Sequence, residues 1–105
     1  MLKINMEYRR GILFLRLKGN LNESTSKKFE EYTFPVIKDY GIKYLVINLS
    51  ELVSLDDYGK NSLEKSGLLI GNNDGRVLLI NNKNNINLNY ESITDELVAL
   101  DLLKI

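Results

Sequence analysis

Residues 44–70, YLVINLSELVSLDDYGKNSLEKSGLLI, run from an apolar strand through an acidic pair and a glycine straight into a helix. The run 44–49 is short and almost continuously apolar, as expected of a strand buried on both faces in the middle of a sheet. From about Asp57 to Ile70 the apolar positions change to helical spacing, with Leu63, Gly67 and Ile70 on one side and Gly71 as the stop. Asp56, Asp57 and Gly59 therefore sit where a helix begins. Such a start leaves backbone N–H groups unpaired and carries the positive end of the helix dipole, so it favours a carboxylate, a phosphate or the acidic group of a partner. Capping alone also places aspartates there, and the residue at the cap contributes about 0.5–2 kcal/mol.

Upstream, Ile4, Met6 and Tyr8 alternate with polar neighbours. After Arg9-Arg10-Gly11 a second run, ILFLRLKG, sets Leu13, Leu15 and Leu17 on one face, so the two runs form a β-hairpin. The segment NLNESTS then offers several helix caps, and Phe29, Tyr32, Val36, Ile37 and Tyr40 recur at helical spacing until Gly41. Pro35 falls inside that helix and removes a backbone donor, which predicts a kink or break near Thr33 or Phe34. Downstream, RVLLIN reads as another buried strand and the asparagine-rich residues 81–89 as a loop. Ser92 with Asp95 and Glu96 reads as a capping signature for a last helix with Ile93, Leu97 and Leu100 as its stripe. The alternation is that of an α/β fold: a single domain over residues 1–105 whose mixed sheet joins the hairpin to parallel strands, flanked by helices.

Composition narrows the function. The 105-residue chain has no cysteine and no histidine, so disulfides, thiol nucleophiles, imidazole acid–base chemistry and the usual zinc sites are excluded. Fourteen basic and fourteen acidic residues balance, which provides no general attraction for nucleic acid or anionic lipid. Nine of the basic residues but only five of the acidic ones precede residue 44, an asymmetry that reads as solvated surface. No apolar run approaches the roughly 20 residues that span a bilayer, and the N-terminus lacks a secretory pattern, so a cytoplasmic location is expected.

The order of elements and two loop motifs resemble the STAS domain family, the sulfate-transporter and anti-sigma factor antagonist domains, over essentially the whole chain. In that family a loop carrying an aspartate, a phosphorylatable serine or threonine, another small residue and a glycine opens the second main helix. The matching positions read Leu55-Asp56-Asp57-Tyr58-Gly59. A second signature, with acidic residues before the first helix, is similar to Gly19-Asn20-Leu21-Asn22 followed by Glu23-Ser24-Thr25. The close, residues 100–105, is similar to the family's leucine-rich last helix and the strand that begins after it.

The resemblance implies a non-catalytic interaction module. Its unmodified form binds an anti-sigma factor of the serine-kinase type, and phosphorylation of the loop serine releases it. At the phosphorylation position stands Asp57, which has no hydroxyl, and Ser54 is the nearest substitute. Asp57 carries a single charge where a phosphoserine would carry about −1.5 to −2; it is read as the native cap of a constitutive surface in preference to a standing phosphate mimic. The partner-binding residues implied are Asn20, Asn22, Ser24, Thr25, Asp56, Asp57, Tyr58 and Gly59. Gly59 is read as serving close packing or turn geometry in preference to ligand contact, and Tyr58 either as an interface contact or as buried against the sheet. No cofactor, metal, nucleic acid or membrane insertion is implied, and a homodimer is left open. Two adjacent carboxylates with Ser50 and Ser54 nearby make a poor catalytic set. The alternative role is a scaffold or accessory subunit of a larger assembly such as a transport complex, where phosphorylation is not needed.

Overall fold

The computed structural model describes residues 1–80, 88 and 90–103. Its elements are β1 (Leu2–Arg9), β2 (Ile12–Leu21), α1 (Glu23–Asp39), β3 (Tyr44–Leu55), α2 (Asp57–Asn72), β4 (Arg76–Ile80), β5 (Glu91–Ile93) and α3 (Glu96–Leu102). The strands line up in sequence order, with β1 antiparallel to β2 and each later pair parallel. Arg10 and Gly11 close the hairpin with φ of 52° and 80°, the positive values that the favoured two-residue hairpin turn requires.

Successive right-handed crossovers that step in one direction across a sheet leave their helices on one face. Accordingly α1 and α2 pack side by side on the face formed by Leu13, Leu15, Leu17, Leu45, Ile47 and Leu49, and they bury Phe29, Ile37, Leu63 and Ile70 there. The alternate residues Ile12, Phe14, Val46, Leu78 and Ile80 face the other way and receive Ala99 and Leu103 from the end of the chain. The mixed sheet between helices thus holds as expected, and β3 is its middle strand. Among the described residues no helix is long and apolar enough to cross a membrane.

Several local expectations are corrected. Strand β3 continues past residue 49 to Leu55, because the second half of β2 pairs with it through Lys18–Glu51, Asn20–Ser54 and Leu21–Leu55. Helix α1 runs unbroken through Pro35. The proline lies on the exposed side, where water can take the carbonyl it leaves unpaired, while buried Phe29 and Ile37 hold the helix down. The α1 stripe accordingly excludes Tyr32 and Tyr40, which are 59% and 78% exposed. Ser92 lies in β5 and does not cap a helix; Asp95 caps α3, accepting the Val98 amide at 3.0 Å. Leu97 points outward, and α3 instead buries Ala99. The loop expected at residues 81–89 lies outside the described residues except for Leu88, as do the last two residues of the chain.

Candidate functional site

At the end of β2 the chain needs an acceptor for the first amides of α1, and Asn22 supplies it. Its backbone is extended, and its Oδ1 accepts the Ser24 and Thr25 amides at 3.0 and 3.2 Å. The Thr25 hydroxyl completes the capping box by accepting the Asn22 amide at 2.9 Å, and it donates to the Asn20 carbonyl at 2.7 Å. Ser24 adds a hydroxyl bond to Asn22 Oδ1 at 2.8 Å. The polar residues of this loop are thus tied mainly to one another.

The second loop is tied to the first through one carboxylate. Asp56 is the N-cap of α2: Oδ1 accepts the Gly59 amide at 2.9 Å, while Oδ2 reaches across to accept the Glu23 amide at 3.0 Å, at the start of α1. The Asp56 amide donates in turn to the Leu21 carbonyl at 3.3 Å. Two helix starts, each with unpaired donors and a positive dipole end, therefore share one anion. Gly59 lets them approach, since a Cβ there would lie 2.3 Å from the Leu21 carbonyl oxygen and 2.8 Å from both the Leu21 and Leu55 side chains. The expectation that Gly59 serves packing is met by this contact.

Next to these loops, β3 carries register irregularities against β2 between Arg16 and Lys18 and between Gly19 and Asn20. The second makes Val53 the extra residue between Leu52 and Ser54, and Val53 is 75% exposed. Ser54 then returns to register and donates to Asn20 Oδ1 at 2.6 Å, a further tie between the two loops. Nothing in the local pattern ELVSL announces the bulge.

The eight residues singled out from the sequence therefore fall into two sets, and Thr25 and Gly59 are buried beneath the exposed ones. Asn20, Asn22, Thr25, Asp56 and Gly59 build the joint itself. Asp57, in the first turn of α2, does not cap the helix as expected, because Asp56 takes the capping position; its carboxylate is exposed and unpartnered among the described residues. Tyr58 is 56% exposed, which decides against burial on the sheet. Ser24 is also exposed. Sequence reasoning missed Val53 and the Asn20–Ser54 pairing.

A second polar cluster lies on the α3 face. Arg16 grips Glu96 with two bonds at 2.8 and 2.7 Å and also donates to Asn5 and Glu7, while Asn48 donates to Glu96 at 3.1 Å. The Arg16 hydrogen bonds hold the Glu96 carboxyl below the usual glutamate range despite partial burial, and the same contacts, led by Glu96, push the Arg16 guanidinium up. An open groove of about 770 Å³ beside this cluster is lined by residues such as Lys3, Lys18, Lys28, Tyr32 and Glu51. It includes none of the loop residues above.

A profile of the STAS domain matches residues 3–88, and the chain belongs to the STAS domain family. An anti-sigma factor antagonist from Mycobacterium paratuberculosis superposes with a TM-score of 0.85 at 18% identity, covering 100% of this chain and 96% of that one. The anti-sigma factor antagonist SpoIIAA in its unphosphorylated form matches with a TM-score of 0.82 at 17% identity, over 97% of this chain and 98% of that one. SpoIIAA, described as a Bacillus cell fate determinant, also matches in its phosphorylated form, with a TM-score of 0.74 at 17% identity and coverage of 97% and 100%. At these identities the likeness is one of fold.

Proposed function

We propose that this chain is a non-catalytic, cytoplasmic regulatory module that binds a protein partner of the anti-sigma factor or serine-kinase type, without the serine switch of its relatives. The binding surface comprises Asn20, Asn22 and Ser24 at one helix start and Asp56, Asp57 and Tyr58 at the other, with buried Thr25 and Gly59 holding it in shape from beneath. The observation that carries the reading is the Asp56 carboxylate, which fastens the starts of α1 and α2 into one pre-formed surface. A surface already ordered in the free protein loses little conformational entropy on binding. Asp57, Tyr58 and Val53 stand out from it as contact groups. SpoIIAA is known in phosphorylated and unphosphorylated forms; in this chain the carboxylate of Asp57 offers no hydroxyl for phosphate, which makes the surface constitutive. The same feature favours the second reading, a scaffold or accessory subunit of a larger assembly.

A pull-down from the native organism, followed by titration calorimetry with the partner it returns, tests the proposal. Gly59→Trp, which forces the two loops apart, is expected to abolish binding. Asp57→Ser should leave the fold intact and change affinity by less than about tenfold, or about 1.4 kcal/mol. A larger gain would make Asp57 a standing phosphate mimic. Mass spectrometry after incubation with ATP and a kinase-type anti-sigma factor should find no phosphate; stoichiometric modification of Ser54 or Tyr58 would show that the switch has moved along the turn.

A further inference from the structure

β1 is an edge strand, and one bond assigns the direction of its backbone groups. In an antiparallel ladder, residues alternate between pairs that exchange both N–H···O bonds and pairs that exchange none. The Asn20 amide donates to the Met1 carbonyl at 2.9 Å, and the register continues from Leu2–Gly19 through Lys3–Lys18 to Arg9–Ile12 without a bulge. Lys3, Asn5 and Glu7 therefore turn their N–H and C=O groups toward β2, while Leu2, Ile4, Met6 and Tyr8 turn theirs outward. The Leu2 carbonyl agrees with this assignment, because it accepts the Lys28 ammonium at 3.1 Å. Among the described residues no group takes the outward N–H and C=O groups of Ile4, Met6 and Tyr8.

An eight-residue edge without a bulge is a template for another strand. Its side chains limit which strand fits. Lys3, Asn5, Glu7 and Arg9 lie on the α3 face of the sheet, and Leu2, Ile4, Met6 and Tyr8 on the α1–α2 face, where Ile4 and Met6 are half-buried and Tyr8 is 64% exposed. We infer that this edge docks a second copy of the chain, with the two β1 strands antiparallel about a two-fold axis at Asn5.

A centre on any residue of β1 brings outward backbone groups together and keeps like faces aligned, but at Lys3 or at Glu7 it sets that charge against its own copy. A centre at Met6 sets Lys3 against Arg9, two like charges. A centre at Ile4 sets Lys3 against Asn5 and Glu7 against Met1, with no side-chain charges matched. The centre at Asn5 sets Lys3 opposite Glu7 twice, and bonds Ile4 to Met6 and Leu2 to Tyr8 on the same ladder. Glu7 spends only Oε1 on Arg16, at 2.9 Å, which leaves Oε2 for the lysine of the second copy. The Leu2 carbonyl has a second lone pair for the incoming Tyr8 amide. The β1 edge lies opposite β5, and its pairing uses none of the residues of the loop surface.

Sedimentation equilibrium from micromolar to millimolar concentration tests it. The natural chain should dimerise within that range. Lys3→Glu and Glu7→Lys, each alone, should weaken association by about tenfold, through two like-charge contacts. An equimolar mixture of the two variants should restore it, since both contacts again join an acid to a base. A measurement on the natural chain stands apart from any effect of Glu7→Lys on folding: amide exchange at Ile4, Met6 and Tyr8 should slow as concentration rises, while Asn5 and Glu7, already bonded to β2, stay unchanged. A chain that is monomeric throughout, a dimer indifferent to Lys3→Glu, or a dimer without added protection at Ile4 and Met6 would overturn the inference.

Discussion

The two faces of the sheet are built from alternate residues of the same strands, yet they are held by different forces. Toward α1 and α2, Leu15 and Ile47 are fully buried among Phe29, Ile37, Leu63 and Ile70. Toward α3 the apolar patch around Phe14 and Val46 is small, and beyond it Arg16 and Asn48 donate to Glu96, while Arg16 also donates to Asn5 and Glu7. Burial of apolar area is non-directional and insensitive to pH, whereas a partly exposed ion pair is directional, weak and titratable. The first face carries the fold, and the second positions a short helix.

The largest expected effect lies on the first face. Ile47→Ala leaves a cavity between the sheet and two helices, and denaturant titration should show a loss of about 2–5 kcal/mol with little dependence on pH. A loss as small as that of an exposed substitution would erase the contrast between the faces.

At the strand ends, Asp56→Ala should cost about 1–2 kcal/mol and loosen both helix starts, because it removes the acceptor of the Gly59 and Glu23 amides. Asp56→Asn retains one acceptor oxygen and should fall between alanine and the natural residue. Amide exchange at Glu23 as well as at Gly59 would distinguish this bridge from an ordinary single cap; acceleration at Gly59 alone would reduce Asp56 to one helix.

On the second face, Glu96→Gln should cost about 1 kcal/mol or less near neutral pH, because Arg16 and Glu96 are 35% and 25% exposed and solvent screens them. The folded-state pKa of Glu96 lies below its unfolded value of about 4.3, so its stabilisation is complete above that value. It is lost as pH falls through the folded pKa. The difference between natural and Gln chains should therefore close on acidification, which paired urea titrations can follow. A constant difference would assign the effect to packing. Asp57→Ser, at an exposed position, should shift unfolding by no more than about 0.5 kcal/mol.

Much of this architecture is legible in the residues. The period-2 hairpin, the doubly apolar run of β3 and the helical spacings around it specify a mixed α/β sheet, because strands and helices bury their residues at different periods. The loop residues were legible as types but not in their roles. Asp56 and Asp57 are the same residue side by side, and only their geometry makes one a bridge between two helices and the other an exposed carboxylate. Pro35 misled because a local cost to helix α1 is outweighed by burial of Phe29 and Ile37.

By itself the sequence determined the order of the elements from β1 to β4, the middle position of residues 44–49 and the residue types of the two loops, since each follows from local periodicity, turn chemistry and motif; β5, only Glu91–Ile93, carries too short a pattern to be read. Only the tertiary structure decided that the carboxylate of Asp56 reaches α1, that Val53 is pushed into solvent by a bulge and that Glu96 anchors α3 to Arg16. Those contacts join residues 33 to 80 positions apart or depend on the register between two strands. Register and long-range pairing arise when whole elements pack together, so no local pattern encodes them.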